Sequence, residues 1–429
     1  MAADQDFGKC AHCNEDGKFS CGGCHRAPEY ATGDVHRTDY CSKECQNAHR
    51  PAHRTYCRSM WKRRTLLRVA RLLKAVLLAY RECVFDLDIS KVELNDGVLQ
   101  LHQKQRPAAA RKQYRLFPSE VTESLEYKEA ALVHNQSMTA LALFARLAKK
   151  LLSDFATSIE SCFLRIKKPA VRTELVPGPN SNDGLHAVLK VGLKGPTGDP
   201  ESWALDPAGC QYGFLEVLVP YATYLKQGEV VREPEPYDWT ETTDLDRFER
   251  SLAMNLTAAQ EEDAIVERKI RKEYALFVRN RFGSSQPSAV KDLLYWTLPT
   301  FGQQLDVLTE DLKQYMSLYM EERGFYADHF STPAQRRPTP KQRLANFSLL
   351  ANVLPCFLPS LTCLKMRLGT PQVTGLVLRY FRCGPIVKPF DSVTALVLDT
   401  QTDRLYSPNG YMLKDYSQLF ALADSCRKA

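Results

Sequence analysis

Long apolar runs are the first thing this sequence lacks. The longest uncharged candidate, Ala75 to Tyr80, falls far short of the ~20 residues that a bilayer-spanning helix needs. A secretory leader is missing as well, because Met1-Ala2-Ala3-Asp4-Gln5-Asp6 is polar and acidic and no apolar h-region follows. These two absences lead to the expectation of an intracellular protein, in nucleus or cytoplasm, without membrane association. Phosphate-cradling loops are absent too. There is no G-x-G-x-x-G and no G-x4-G-K-[ST], and Gly209-x3-Gly213 has neither the lysine nor the following helix that a phosphate loop requires. No internal repeat or low-complexity tract is found. What remains, 429 residues with 44% hydrophobic and 25% charged content, is the composition of a soluble globular chain of two or three domains.

Cysteine, by contrast, is concentrated. Seven of the 14 cysteines fall within the first 57 residues, in the pattern C-x2-C-x7-C-x2-C-x16-C-x3-C-x7-H-x3-C. The ligand candidates are Cys10, Cys13, Cys21, Cys24, Cys41, Cys45, His53 and Cys57. Eight soft or borderline donors make two closed tetrahedral zinc sites, the arrangement of structural zinc. Two cysteines separated by two residues grip one metal from a tight turn, whereas Cys41/Cys45 and His53/Cys57 have the i,i+4 spacing of one helix face. A disulfide framework is the competing reading. It needs an oxidising compartment, and an odd number of cysteines completed by a histidine suits metal instead. His12, His25, His36 and His49 lie in the same region, and His49 is the closest alternative ligand, but His53 keeps the helical relation to Cys57. Spacing leaves open whether the sites are sequential or interleaved.

Tyr40-Cys41-Ser42-Lys43-Glu44-Cys45-Gln46, followed by Pro51, His53 and Cys57, resembles the second half of a MYND zinc finger. Cys10-x2-Cys13 and Cys21-x2-Cys24 resemble the first half. The resemblance covers residues 10–57, about an eighth of the chain. It implies interleaved sites, with Cys10, Cys13, Cys41 and Cys45 on one zinc and Cys21, Cys24, His53 and Cys57 on the other. It also implies a protein–protein interaction surface for short proline-containing peptides, in a regulatory adaptor of transcriptional or ubiquitin-related kind. One residue departs from the family pattern: Arg50 stands before Pro51 where the family usually carries tryptophan on its peptide-contacting surface, while Gln46 is kept. The long segment from His25-Arg26-Ala27-Pro28-Glu29-Tyr30 to Cys41 resembles the fungal branch of the family. Nucleic acid is an unlikely partner on charge grounds. Residues 1–74 hold 14 Lys and Arg against 8 Asp and Glu, and seven thiolates with two zinc ions subtract about three charges from that surplus.

The expected fold class is α+β. A polar lead, 1–9, precedes the small two-zinc finger, 10–57, and a mainly helical body with short β-hairpins, 58–429, whose connectors are 228–243 and 331–340. Leu66, Leu67, Val69, Ala70, Leu73, Val76, Leu77 and Tyr80 mark an amphipathic helix over Trp61 to Tyr80. Lys62, Arg63, Arg64, Arg68, Arg71 and Lys74 form its basic face, expected to be solvated. Ile89 to Leu101 reads as a hairpin turning at Asn95-Asp96-Gly97. Helix is expected over Met138 to Ile166, Leu245 to Phe282, Ser288 to Glu322 and Lys341 to Phe357. Strands are expected at Leu185 to Leu193, with Trp203-Ala204-Leu205-Asp206 as its hairpin partner, and at Val373 to Phe381 and Val393 to Asp399. The strand–strand–glycine segment around Gly209-Cys210-Gln211-Tyr212-Gly213 also resembles the body of fungal MYND proteins.

Two enzymatic readings compete with binding. The Asn-His-x-Cys segment of a SET-type lysine methyltransferase is absent. Cys162, His186 and Asp206 occur in the chain order of a papain- or transglutaminase-like triad, in which a carboxylate orients an imidazole beside a thiol. Such a thiol sits at a helix N-terminus, whereas Cys162 falls toward the end of its expected helix. Cys210 lies after both partners. Cys83, Cys356, Cys363, Cys383 and Cys426 have no metal spacing and read as small buried hydrophobes. Binding rather than catalysis is therefore the expected role, with two zinc ions, a protein partner, and a finger that folds independently of the body.

Overall fold

A computed structural model describes residues 7–104, 111–178, 185–251, 257–283, 294 and 298–326, and the strand segments 361–364, 377–380, 396–399, 404–406 and 412–413. The chain divides into two compact units, Met1–Phe330 and Ser331–Ala429.

The first unit begins with two short antiparallel strands, β1 (Phe19–Ser20) and β2 (Asp39–Tyr40). Asp39 ties the loops around them: its carboxylate accepts from Gly8 N at 2.7 Å, Ser20 Oγ at 2.6 Å and Arg37 Nε at 2.8 Å. Next comes α1, a 41-residue helix from Lys43 to Cys83, about 60 Å long at 1.5 Å per residue. Ser42 caps its start by accepting from Cys45 N, and Glu44 sits favourably in the first turn. Pro51 lies inside α1 on an exposed side, where its missing N–H removes one rung. The helix expected from Trp61 to Tyr80 is thus the continuation of the finger's own helix. Its second half is largely buried, with Leu66, Val69, Leu72, Leu73, Val76 and Leu77 at most 1% exposed and Arg71 left on the exposed side.

Two sheets follow. The hairpin is β3 (Ile89–Asn95) and β4 (Val98–Gln103), with β6 (Arg172–Val176) parallel to β4. Asp96 and Gly97 take φ of 49° and 77° at the turn, the left-handed pair that a two-residue hairpin requires. The larger sheet has the order β10-β5-β7-β8-β9, antiparallel throughout. Its strands are β5 (Ser158–Ile166), β7 (His186–Lys194), β8 (Pro200–Leu205), β9 (Leu218–Pro220) and β10 (Gly228–Pro236). Among the described residues the further α-helices include α2 (Leu125–Leu132), α3 (Ser137–Leu152), the single turn α4 (Tyr221–Tyr224), α5 (Asp244–Ser251), α6 (Ala258–Phe282) and α7 (Leu298–Glu322).

Three expectations are corrected here. The helix expected to run from Met138 to Ile166 stops at Leu152, and Ser158–Ile166 is the second strand of the larger sheet. Phe163 faces the main core, while Cys162, Leu164 and Ile166 face a smaller cluster on the other side. A strand covered on both faces presents a continuous apolar run, which periodicity alone does not separate from a buried helix. The connector expected at 228–243 begins with an edge strand. Pro234 and Pro236 are tolerated there because an edge carries one unpaired side, and the register slips at Val230/Arg232 and Arg232/Glu235. Finally, the body is α+β, but its strands β3 to β10 are joined into a three-stranded and a five-stranded sheet beside the helices and not left as short hairpins.

The second unit holds a five-stranded antiparallel sheet in sequential order, β11 (Leu361–Leu364), β12 (Val377–Tyr380), β13 (Leu396–Asp399), β14 (Arg404–Tyr406) and β15 (Met412–Leu413). The strands expected at Val373 to Phe381 and Val393 to Asp399 correspond to β12 and β13. The connector 331–340, the helix expected over Lys341 to Phe357, and Cys356, Cys383 and Cys426 lie outside the described residues.

Candidate metal centre

The ligand residues converge in two groups, Cys10–Cys13–Cys41–Cys45 and Cys21–Cys24–His53–Cys57, and within each group the donor atoms lie within 4.8 Å of one another. The pairing is interleaved. Contacts with β2 account for it: Phe19 and Ser20 pair antiparallel with Tyr40 and Asp39, while Cys10 bridges Asp39 in parallel and Ala11 N bonds to Asp39 O, which sets the first cysteine pair beside Cys41. α1 then supplies Cys45 to the first group, and His53 and Cys57, one turn apart, to the second. Cys41 is two residues outside the helix, so its closeness to Cys45 comes from the Ser42 cap and not from a shared helix face.

Donor separations test the fit to zinc. Four sulfurs at about 2.3 Å from one ion stand about 3.8 Å apart, and a sulfur and an imidazole nitrogen about 3.5 Å apart. In the first group, Cys13–Cys41, Cys41–Cys45 and Cys45–Cys13 are separated by 3.3, 3.5 and 3.7 Å. In the second, Cys21–Cys57 is 3.7 Å, and His53 Nε2 lies 3.5 Å from Cys24 and 3.4 Å from Cys21. The turn between Cys21 and Cys24 needs glycine, since a Cβ on Gly23 would sit 2.5 Å from Cys57 Sγ. Both groups therefore fit zinc, and the finger binds two ions. The second site is the more enclosed, with Cys21, Cys24 and His53 buried, whereas Cys13 is exposed. His49 is not a ligand: its Nδ1 lies 3.1 Å from Tyr40 Oη, and its ring stacks on His53 at 5.7 Å. Neither site has an open position, so the metals organise the chain and supply no chemistry.

A second set of functional residues had no local signal in the sequence. Arg63, on α1 and 1% exposed, joins the finger to the larger sheet. Its Nη2 bonds to Asp34 at 2.7 Å and to Glu201 of β8 at 2.6 Å, and its Nε reaches Glu201 Oε2 at 3.0 Å. Trp203 Nε1 completes Glu201 at 3.2 Å, Tyr30 packs on Trp203 with ring centroids 5.2 Å apart, and Ser202 N donates to Tyr30 Oη at 3.2 Å. Arg64 donates to Gly22 O in the second zinc loop. The Lys62-Arg63-Arg64 cluster is thus divided by the fold, with its second and third members turned inward. A pairing across 138 residues leaves no trace in local spacing.

The triad candidates are split apart. His186 Nε2 lies 2.9 Å from Asp206 Oδ2, deep in the layer beneath the larger sheet. Asp206 also accepts from Tyr224 Oη at 2.5 Å and from Ala208 N at 3.1 Å, and the Gln211 amide faces His186 Nδ1 at 3.4 Å. Cys162 pairs in register with Val188, two pairs along from His186 opposite Leu164, and its Sγ meets Tyr221 Oη at 2.9 Å. Thiol and imidazole are diagonal neighbours bonded to other groups. Burial raises the Cys162 thiol above its ordinary pKa and pushes Cys210 up to about 12, the opposite of activation. Cys162 should therefore resist a broad thiol electrophile in the native protein and react only in denaturant. Peptide mapping by mass spectrometry checks this; a native adduct at Cys162 that vanishes in His186→Ala would restore the triad.

Compared with known families, the chain matches the MYND finger over residues 10–57. No curated protein and no solved structure matches it. Residues 10–57 are thus a MYND-type, zinc-binding finger, a kind of domain that mediates protein–protein interactions, and among the described residues no helix is long and apolar enough to cross a membrane.

Proposed function

We propose that the protein is a regulatory adaptor that recruits a partner protein through its zinc-loaded finger, while the α+β body presents the finger in a fixed orientation. The observation that carries this reading is the pair of closed zinc sites in a finger of the MYND type, built without an open coordination position. The buried His186–Asp206–Tyr224 group is saturated by internal bonds and offers no reacting atom to solvent, which favours binding over catalysis. The role of the long helix supports the same view: α1 carries three of the eight zinc ligands at one end and core residues at the other, so a bound partner is held rigidly relative to the body.

Affinity capture with the full chain beside the same chain carrying Cys45→Ser tests the proposal. Partners retained by the wild type and lost from the variant make the zinc-loaded finger the recognition module. Equal retention by both places recognition elsewhere and overturns the reading.

A further inference from the structure

α1 sorts its cations by direction. Arg63 and Arg64 turn inward onto Asp34, Glu201 and Gly22. Arg50, Arg54 and Arg58 are exposed, Lys62 is half-buried at the end of the row, and none of the four is joined to a carboxylate among the described residues. Some partly exposed cations of the unit are engaged, Lys74 with Glu129, Lys112 with Glu267, Lys128 with Glu82 and Lys190 with Glu160; Lys43, Arg71, Lys269 and Lys272 are exposed and, among the described residues, joined to no carboxylate, but they stand apart from this row. Four residues of helix advance about 6 Å and rotate about 40°, so Arg50, Arg54, Arg58 and Lys62 form one row about 18 Å long on the solvent side of the finger.

We propose that this row is the docking surface for an acidic segment of a partner protein, bound extended, with carboxylates at alternate positions. Alternate side chains of an extended chain lie about 6.6 Å apart on one face, close to the 6 Å rise between successive arginines. Each arginine presents a planar fork that matches a carboxylate bidentately. Length selects a short peptide over a nucleic-acid duplex. The row holds four cations, and toward the start of α1 exposed Glu44 follows exposed Lys43 and precedes the zinc ligand Cys45, so the basic stripe does not continue past Arg50 along the helix as the charge of a duplex would. The inference rests on the adaptor reading above and names the chemistry of its partner.

The test uses the full zinc-loaded chain and fluorescent peptides: one with Asp or Glu at every second position, its Asn/Gln counterpart, and a proline-rich peptide without acids. A fluorescent DNA duplex is the fourth probe. The acidic peptide should bind at least about tenfold more tightly than its amide counterpart, and binding should weaken from about 50 to 200 mM salt. The triple charge reversal R50E/R54E/R58E should abolish it while leaving zinc content and thermal unfolding unchanged, because the three side chains are exposed. Equal binding of acidic and amide peptides, no binding of the acidic one, an unaltered affinity in the reversal variant, or tighter binding of the duplex each overturns the inference. Partners captured through the finger but unaffected by R50E/R54E/R58E would sink the acidic-segment proposal alone and leave the adaptor reading standing.

Discussion

Replacing Arg63 with methionine is expected to cost about 3–5 kcal/mol of stability, because it leaves a buried carboxylate without its cation. Glu201 is 5% exposed at its side chain and would keep only the Trp203 indole donor. Asp34, at 24%, can turn to water. The guanidinium also lies 5.8 Å from the Trp203 ring and 5.9 Å from Tyr30, contacts that methionine retains only as packing. The double variant Arg63→Met/Glu201→Gln should recover most of the loss, since removing both charges of a buried pair leaves no unpaired ion. Arg64→Met should cost under about 1 kcal/mol, as it removes one partly exposed bond to a carbonyl. Urea unfolding followed by tryptophan fluorescence reads all three. A midpoint for Arg63→Met equal to the wild type would show that the finger–sheet bridge carries no stability.

Removing zinc should have the larger consequence. Structural zinc contributes about 10–16 kcal/mol of apparent binding energy per site, against about 5–15 kcal/mol for the stability of a whole domain. Residues 7–42 contain only two-residue strands and contribute five buried side chains to a small core, three of them zinc-binding cysteines, so chelation should unfold them. An independent finger would leave the body unchanged, which was the expectation from sequence. The structure leads to a different outcome. α1 is continuous from Lys43 to Cys83, and Asp34 and Tyr30 seal the Arg63–Glu201–Trp203 corner of the larger sheet. Faster hydrogen exchange is therefore expected at Ser202, whose N–H is bonded to Tyr30, and along α1 before Leu66. Stoichiometry tests the pairing independently. Cys13→Ser with Cys45→Ser should lose one ion, because both serve the same site, and Cys13→Ser with Cys57→Ser should lose both. Loss of both ions from the first double variant would mean sequential sites.

Particular residues show where the reading of the sequence was strong. Asn95-Asp96-Gly97 marked its turn because few residues tolerate two successive positive φ values. The apolar periodicity from Leu66 to Tyr80 marked a helix that the fold contains. Neither signal depends on distant parts of the chain. Residues 158–166 were misread because both faces of β5 are covered, which erases the alternation that identifies a strand. The Pro-rich segment after Gly228 was misread because only an adjacent strand, β5, makes an edge there for prolines to occupy.

The sequence by itself determined the eight metal ligands, the two zinc ions and the α+β class, because metal ligation and local periodicity are written in residue type and short spacing. Tertiary structure decided which ligands share an ion, which arginines of α1 are buried, and which group Cys162 meets. Those depend on contacts between residues far apart in the chain: the Cys10–Asp39 bridge that sets Cys10 beside Cys41, the docking of Arg63 on Glu201, and the packing of α4 that brings Tyr221, not His186, to the Cys162 thiol.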